Sequence, residues 1–226
     1  MPAVEITWYG SACVRLRGRE GVVVADAFPS VVGPTGHGIA ADVATFSHPD
    51  PNPAAGRGNG RRPADEGVPT SLLPAFRLAG PGEFEVHEIL VTGVRTARDE
   101  ARGADRGLNT AFVVQLDGLH AIHLGDLGHL LTEEQIREIG PVDAICVPIG
   151  GHLSAAHAAE VVAQLEANLV VPLPVCAEET ECEAAIAKFL HEMGMKELTP
   201  QPKLTVTISS IPQETTVVLL ESRARG

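Results

Sequence analysis

Asp42-Val-Ala-Thr-Phe46 runs directly into Ser47-His48-Pro49-Asp50-Pro51-Asn52-Pro53, an apolar strand delivering a cluster of polar side chains. Strand ends are where α/β architectures commonly place their chemistry. The stretch therefore predicts His48, Asp50 and Asn52 at the edge of a sheet. Three prolines stiffen it, each holding φ at about −65° and removing a backbone donor. An imidazole and a carboxylate two residues apart can share a divalent metal, because neutral imidazole and ionised carboxylate are both ordinary ligands. The same residues also read as a proline-stiffened turn in which Asn52 caps a short helix begun by Pro53.

Upstream, residues 3–25 predict three short strands. Val4, Ile6 and Trp8 alternate with polar neighbours, Cys13-Val-Arg-Leu16 follows a Gly10-Ser11 turn, and Gly21-Val-Val-Val-Ala25 is a buried run ending in Asp26. Residues 29–41 read as a loop. Downstream, residues 54–70 carry so many glycines and prolines that no regular element is expected, and a flexible loop is predicted there. Its Arg57, Arg61 and Arg62 read as either solvated residues or contacts for an anion. Strands are expected at 71–78, 83–86, 88–94, 110–116 and 119–124. The last two are joined by Asp117-Gly118, a strong hairpin signal. Residues 97–108 are charged and loop-like.

The second half changes rhythm. Thr132-Glu-Glu-Gln135 is a capping box opening a helix that ends at Gly140-Pro141. A buried strand at 143–147, a helix from Ser154 to about residue 166 and a strand at 169–171 follow. Thr180-Glu-Cys-Glu183 reads as another capping box, with Ile186, Phe189, Leu190 and Met193 on one helical face. Strands at 203–208 and 215–220 complete the chain. Strands, then strand–helix alternation, then strands again predict two sheets with helices outside, in one domain spanning 1–226.

The balance of 17 basic and 29 acidic residues gives a net charge of −12, which argues against nucleic acid or an anionic membrane as partner. No run approaches the roughly 20 apolar residues of a membrane span. The N-terminus lacks the pattern of a signal peptide, so a cytoplasmic protein is the default expectation. The four cysteines do not suggest a disulfide framework at this length. Cys13 and Cys146 lie in apolar runs, Cys176 and Cys182 lie near a helix start without zinc-site spacing, and structural roles are expected for all four.

His120-Ala-Ile-His123-Leu-Gly-Asp126-Leu-Gly-His129 sets polar residues three apart, but the glycines and the preceding strand argue against a helical stripe. His120 and His123 should face opposite sides of the strand. Asp126, in a turn after a strand, is either a site residue or a local backbone acceptor. His152, after Gly150-Gly151, either points into a cleft or bonds its own loop.

Several stretches together resemble one family. They are Ile6-Thr-Trp-Tyr-Gly-Ser-Ala-Cys-Val-Arg15, Ala41-Asp42 with Ser47-His48, Gly80-Pro-Gly-Glu-Phe-Glu-Val86 with Val91-Thr-Gly93, and Asn109-Thr110. His123-Leu-Gly-Asp-Leu-Gly128, Val147-Pro-Ile-Gly-Gly151 and Val171-Pro172 complete the set. In this order they resemble the lactonase-like branch of the metallo-β-lactamase superfamily, Zn-dependent hydrolases of the β-lactamase fold. The resemblance implies an α/β (α+β) four-layer αββα sandwich, with a metal site along one edge where the loops of the two sheets meet.

The same resemblance implies that most ligands have been exchanged. The family's H-x-H-x-D-H motif falls on residues 48–53: only His48 survives, while Asp50, Asn52 and Pro53 replace the others. The next family histidine falls on Arg98 and the last on Pro174. The bridging aspartate is retained as Asp126, and the histidine often found after the first Tyr-Gly is Ser11. Proline has no donor atom for a metal, and Arg98 brings a permanent positive charge that favours the carboxylates of Asp50 and Asp126. The expectation is a vestigial site of His48, Asp50, Asn52, Arg98 and Asp126 in which Arg98 pairs with Asp50 or Asp126 in place of metal. No cofactor is expected, and the role is in binding or assembly, with a small anionic molecule or a homo-oligomer as partner. The alternative is a hydrolase of a small anionic ester or lactone. It would hold one Zn or Mn on His48, Asp50 and Asp126, with Arg98 or His152 clamping the substrate.

Overall fold

Val4, Ile6, Val14, Leu16, Val23, Val43 and Leu78 occupy alternate positions of successive strands, and a pleated backbone sends such residues to one face. In the computed structural model, which describes residues 2–50 and 67–223, these strands build a six-stranded sheet. They are β1 (Val4–Trp8), β2 (Val14–Arg17), β3 (Val22–Ala25), β4 (Val43–Thr45) and β5 (Phe76–Leu78), with β12 (Leu204–Val206) beside β1. β3, β4 and β5 run parallel, so their C-terminal ends emerge together.

The second sheet has seven strands in the order β13-β11-β10-β9-β8-β7-β6. These are β6 (Gly82–Val86), β7 (Ile89–Ala97), β8 (Leu108–Leu116), β9 (Leu119–His123), β10 (Ala144–Ile149), β11 (Leu169–Pro174) and β13 (Thr216–Val217). β6 to β9 form an antiparallel meander, and β9, β10, β11 and β13 are parallel. β10 and β11 are buried at every position, as expected of parallel strands covered on both faces. The hairpin at Asp117-Gly118 has positive φ at both residues, 49° and 82°, which matches the twist of the flanking strands.

One apolar core lies between the sheets. A second packs the outer face of the seven-stranded sheet under α2 (Glu133–Ile139), α3 (Ala155–Leu165) and α4 (Glu179–Glu192). The fourth layer is thin: the four-residue α1 (Pro29–Val32) and short 3₁₀ turns at Gly36–Gly38 and Thr70–Leu72 cover the six-stranded sheet. The architecture is the expected αββα sandwich.

Several boundaries differ from the sequence reading. The predicted loop at 29–41 contains α1, started by Pro29 at its first turn. The predicted strand at 71–78 is a 3₁₀ turn followed by only three strand residues, with Pro74 between them. The box at Thr132 forms both its bonds, but α4 starts at Glu179, so Thr180 lies inside the helix and caps nothing. Cys13 and Cys146 are buried thiols, whereas Cys176 and Cys182 are joined in a disulfide with Cα atoms 5.6 Å apart. Burial pushes the Cys146 thiol up to about 12, so it is inert at neutral pH. Among the described residues no helix is long and apolar enough to cross a membrane. The predicted flexible loop lies outside the described residues, apart from 67–70, which form a turn leading into a 3₁₀ segment.

Candidate functional site

Because β3 and β4 are parallel neighbours, Asp26 after the first and Ser47-His48 after the second meet at one sheet end. Asp26, at a φ of 48° that aspartate tolerates better than most residues, turns a buried carboxylate back onto this strand end. It accepts the Ser47 backbone N–H at 2.7 Å and the Ser47 hydroxyl at 2.5 Å. With its proton given to Asp26, Ser47 Oγ accepts from His48 Nδ1 at 2.7 Å. His48 therefore carries its proton on Nδ1 and presents the Nε2 lone pair. Its pKa is lowered, chiefly by burial, against the opposing pull of the Asp26 and Asp126 carboxylates, so the neutral ring is favoured.

Asp126 is held by a second device. Asn109, buried in β8, donates to Thr96 Oγ1 at 2.7 Å and to the Leu124 carbonyl at 2.9 Å, and accepts the Asp126 N–H at 3.0 Å. Gly125 has φ 64°, and a Cβ there would come within 2.6 Å of Asn109 Oδ1. A Cβ at Gly128 would overlap the Arg98 carbonyl. These two glycines let the 124–128 turn lie against the end of β7, where Gly128 donates to the Ala97 carbonyl at 3.0 Å. His129 accepts the Ala97 N–H at 3.0 Å and so pins the same strand end.

Arg98 is thereby laid over Asp126. Its Nε and Nη2 both lie 2.7 Å from Asp126 Oδ2. Nη1 reaches back to the Arg106 carbonyl at 3.2 Å, across a turn that Asp99 organises by accepting from Gly103 and Arg106 N–H groups. His152 approaches from the far side, with Nε2 3.4 Å from Asp126 Oδ2 and Nδ1 against the Arg106 guanidinium. A guanidinium only donates, so His152 accepts at Nδ1 and carries its proton on Nε2, toward the carboxylate. Burial lowers its pKa most, and Arg106 and Arg98 add to that against Asp126.

Of the residues singled out from sequence, His48, Arg98, Asp126 and His152 share one neighbourhood: Asp126 and Arg98 both act electrostatically on His48 and on His152. Asp50 accepts from Ser30 Oγ of α1 at 3.1 Å. Asn52 and Pro53 lie outside the described residues. A catalytic zinc wants about three protein ligands. Here Asp126 Oδ2 is taken by a guanidinium and His152 Nδ1 by another, and arginine does not ligate. Among the described residues no group of three or more His, Cys, Asp or Glu is placed to hold a metal ion, so His48, Asp50 and Asp126 do not form one. Among the described residues the donor set does not fit a resident zinc.

Beside His48 opens a cavity of about 630 Å³ at the end of the sandwich, walled by Phe28, Phe46, Pro49, Val68, Pro81 and Leu108, with Arg77, Arg95, Asn109 and Thr110 among its polar residues.

Residues 5–174 match the β-lactamase superfamily domain. The chain belongs to the β-lactamase superfamily. It is similar to a UPF0173 metal-dependent hydrolase of Methanoculleus marisnigri, 26% identical over 181 residues that cover 75% of this chain and 80% of the relative. A protein of the same name from Thermococcus onnurineus is 34% identical over 125 residues, 51% of this chain and 47% of the relative. Among solved structures, a metallo-β-lactamase superfamily protein of Thermotoga maritima superposes with a TM-score of 0.70 at 26% identity, over 96% of this chain and 98% of that one. The metallo-β-lactamase fold expected from the quoted motifs is thus the fold of this superfamily member. Four residues that hold this neighbourhood together were not named as site candidates from the sequence: Asp26, Ser47, Arg106 and the clamp Asn109. Asp26 closes a buried strand next to the strand that delivers His48, and Ser47 and Asn109 lie in stretches that carry the family resemblance.

Proposed function

We propose that this chain is a metal-free member of the superfamily that binds a small anionic molecule and lacks two-metal hydrolase chemistry. The observation that carries the reading is the Arg98 guanidinium on Asp126, with two nitrogens at 2.7 Å from one carboxylate oxygen. A guanidinium cannot be deprotonated in a protein, so it neutralises Asp126 permanently and repels a dication from the same spot. Arg98, Arg106 and His152 form a cationic and hydrogen-bonding border around one buried carboxylate, and Asp26 with Ser47 holds His48 in a single tautomer. The binding surface is then the adjacent cavity, with His48 on its wall.

The test is elemental analysis of protein expressed with excess Zn²⁺ and Mn²⁺ and then desalted. The reading expects strongly substoichiometric metal, and near one or two ions per chain would overturn it. A one-metal hydrolase is the second reading, supported by the relatives named metal-dependent hydrolases and by His48 Nε2, which has no partner among the described residues. Zn²⁺-dependent turnover of a lactone or ester, lost on His48→Ala and Asp126→Ala, would favour it.

A further inference from the structure

We infer that the cavity beside His48 takes an apolar-bodied hydroxycarboxylate, its carboxylate at Arg95, its hydroxyl on His48 Nε2 and its chain along Phe28, Phe46 and Leu108. The inference rests on the metal-free reading above, because a metal on His48 would occupy the nitrogen assigned to the hydroxyl.

The strand pattern places the cation. Along β7, Ile89 and Val91 face the core between the sheets, and the two-residue period carries Gly93 and Arg95 along the same face. On β8, Phe112 and Val114 face that core, and the same period leads outward to Thr110 and Leu108. Arg95 pairs with Thr110 in register, and all three of Arg95, Thr110 and Leu108 line the cavity. The inner faces of both strands thus continue past the packed core and become the cavity wall. The Arg95 backbone carbonyl accepts from Gln135, but its guanidinium has no hydrogen bond or ion pair among the described residues. Arg77, half-buried in β5, and Asp50 also line the cavity, so the carboxylate is assigned to Arg95 alone.

The remaining walls set the rest of the ligand. Phe28 packs against both Phe46 and the His48 ring, with centroids 5.5 and 5.0 Å away, which makes a fixed apolar and aromatic surface. Leu108 is 51% exposed, an apolar side chain left open at the rim. His48 Nε2 has no hydrogen-bond partner among the described residues and accepts hydrogen bonds in the tautomer that Ser47 enforces, so it selects a donor such as a hydroxyl. A cavity of 630 Å³ has room for roughly twenty waters and falls within the usual range of small-molecule pockets.

The experiment is isothermal titration of the full chain with 3-hydroxydecanoate, decanoate, 1-decanol and decyltrimethylammonium, with metal content measured on the same sample. The hydroxy acid should bind most tightly and decanoate about fivefold more weakly, the worth of one neutral hydrogen bond. Alcohol and cation should be weakest. Arg95→Gln should weaken both acids by about tenfold while leaving the alcohol unchanged. His48→Leu should abolish the preference of hydroxy acid over plain acid. Arg95 is exposed, so that variant is expected to keep the wild-type melting temperature, which serves as the folding control. Binding of alcohol or cation as tight as the acids, no binding at millimolar acid, or indifference to Arg95→Gln would overturn the inference. If these failures occur in metal-free protein, the ligand assignment falls and the metal-free reading stands. Stoichiometric metal would instead remove the reading beneath it.

Discussion

Arg98→Ala removes the partner of a carboxylate that is only 5% exposed. Deleting one member of a fully buried ion pair costs about 3–5 kcal/mol, because the other charge is left uncompensated. Two features reduce that here. The Arg98 side chain keeps 22% of its surface, and His152 Nε2 stands 3.4 Å from the same oxygen. The expected loss is therefore about 2–3 kcal/mol, equivalent to a fall in Tm of about 4–12 °C for a chain of this size. Urea unfolding with and without Zn²⁺ is the assay, together with Asp126→Asn and the double variant. The pair should show a coupling energy above about 1 kcal/mol, so the double variant is less destabilised than the two single losses added together. A loss under about 0.5 kcal/mol with additive effects, the behaviour of an exposed pair, would refute the reasoning. Strong stabilisation of wild-type protein by Zn²⁺ would refute it too.

Asn109→Ala should cost about 2–4 kcal/mol in thermal unfolding, since it strands the buried Asp126 N–H and Leu124 carbonyl; Asn109→Asp, which keeps the acceptor but buries a charge against the Leu124 carbonyl, should recover none of that. Reducing the Cys176–Cys182 bond should cost about 2 kcal/mol, the loop-closure value for so short a loop, and alkylation of native protein should find no reactive thiol until a reductant is added. His48 and His152 both have folded-state pKa values below the ordinary 6.5, so the folded state binds fewer protons than the unfolded one. Their contribution to stability is present above that value and is lost as the pH falls below it. Melting temperature should drop between pH 7.5 and 5, with a shallower slope in His48→Gln; an unchanged slope in that variant would contradict the assignment.

The fold was legible because its signals were local and mutually consistent: alternation in β1 and β7, continuous apolar runs in β10 and β11, Asp117-Gly118 at a hairpin and the box at Thr132. Errors fell where a local rule met a competing one. Thr180 has the spacing of a cap, but the chain is already helical one residue earlier, at Glu179. Residues 71–78 are apolar enough for a strand, yet Pro74 limits pairing to three residues. The site was half legible. Replacing a metal-ligand position by Arg98 predicts a charge partner, but the choice of Asp126 over Asp50 depends on how the 124–128 turn docks. That docking is a tertiary matter, set by Gly125, Gly128 and Asn109, residues distant in sequence from Arg98. The Asp26–Ser47–His48 chain was hidden for a related reason. Its members are 21 positions apart and adjacent only because β3 pairs with β4. The disulfide likewise follows from the path between β11 and α4, which the spacing of six residues does not reveal.

The most direct test of the central claim is a crystal structure of protein soaked in excess zinc, with anomalous data collected on both sides of the zinc absorption edge. The account predicts a planar guanidinium in contact with Asp126 Oδ2 and no anomalous peak between His48, Arg98 and Asp126. A zinc peak at that position, ligated by His48 and Asp126 with Arg98 displaced, would contradict it.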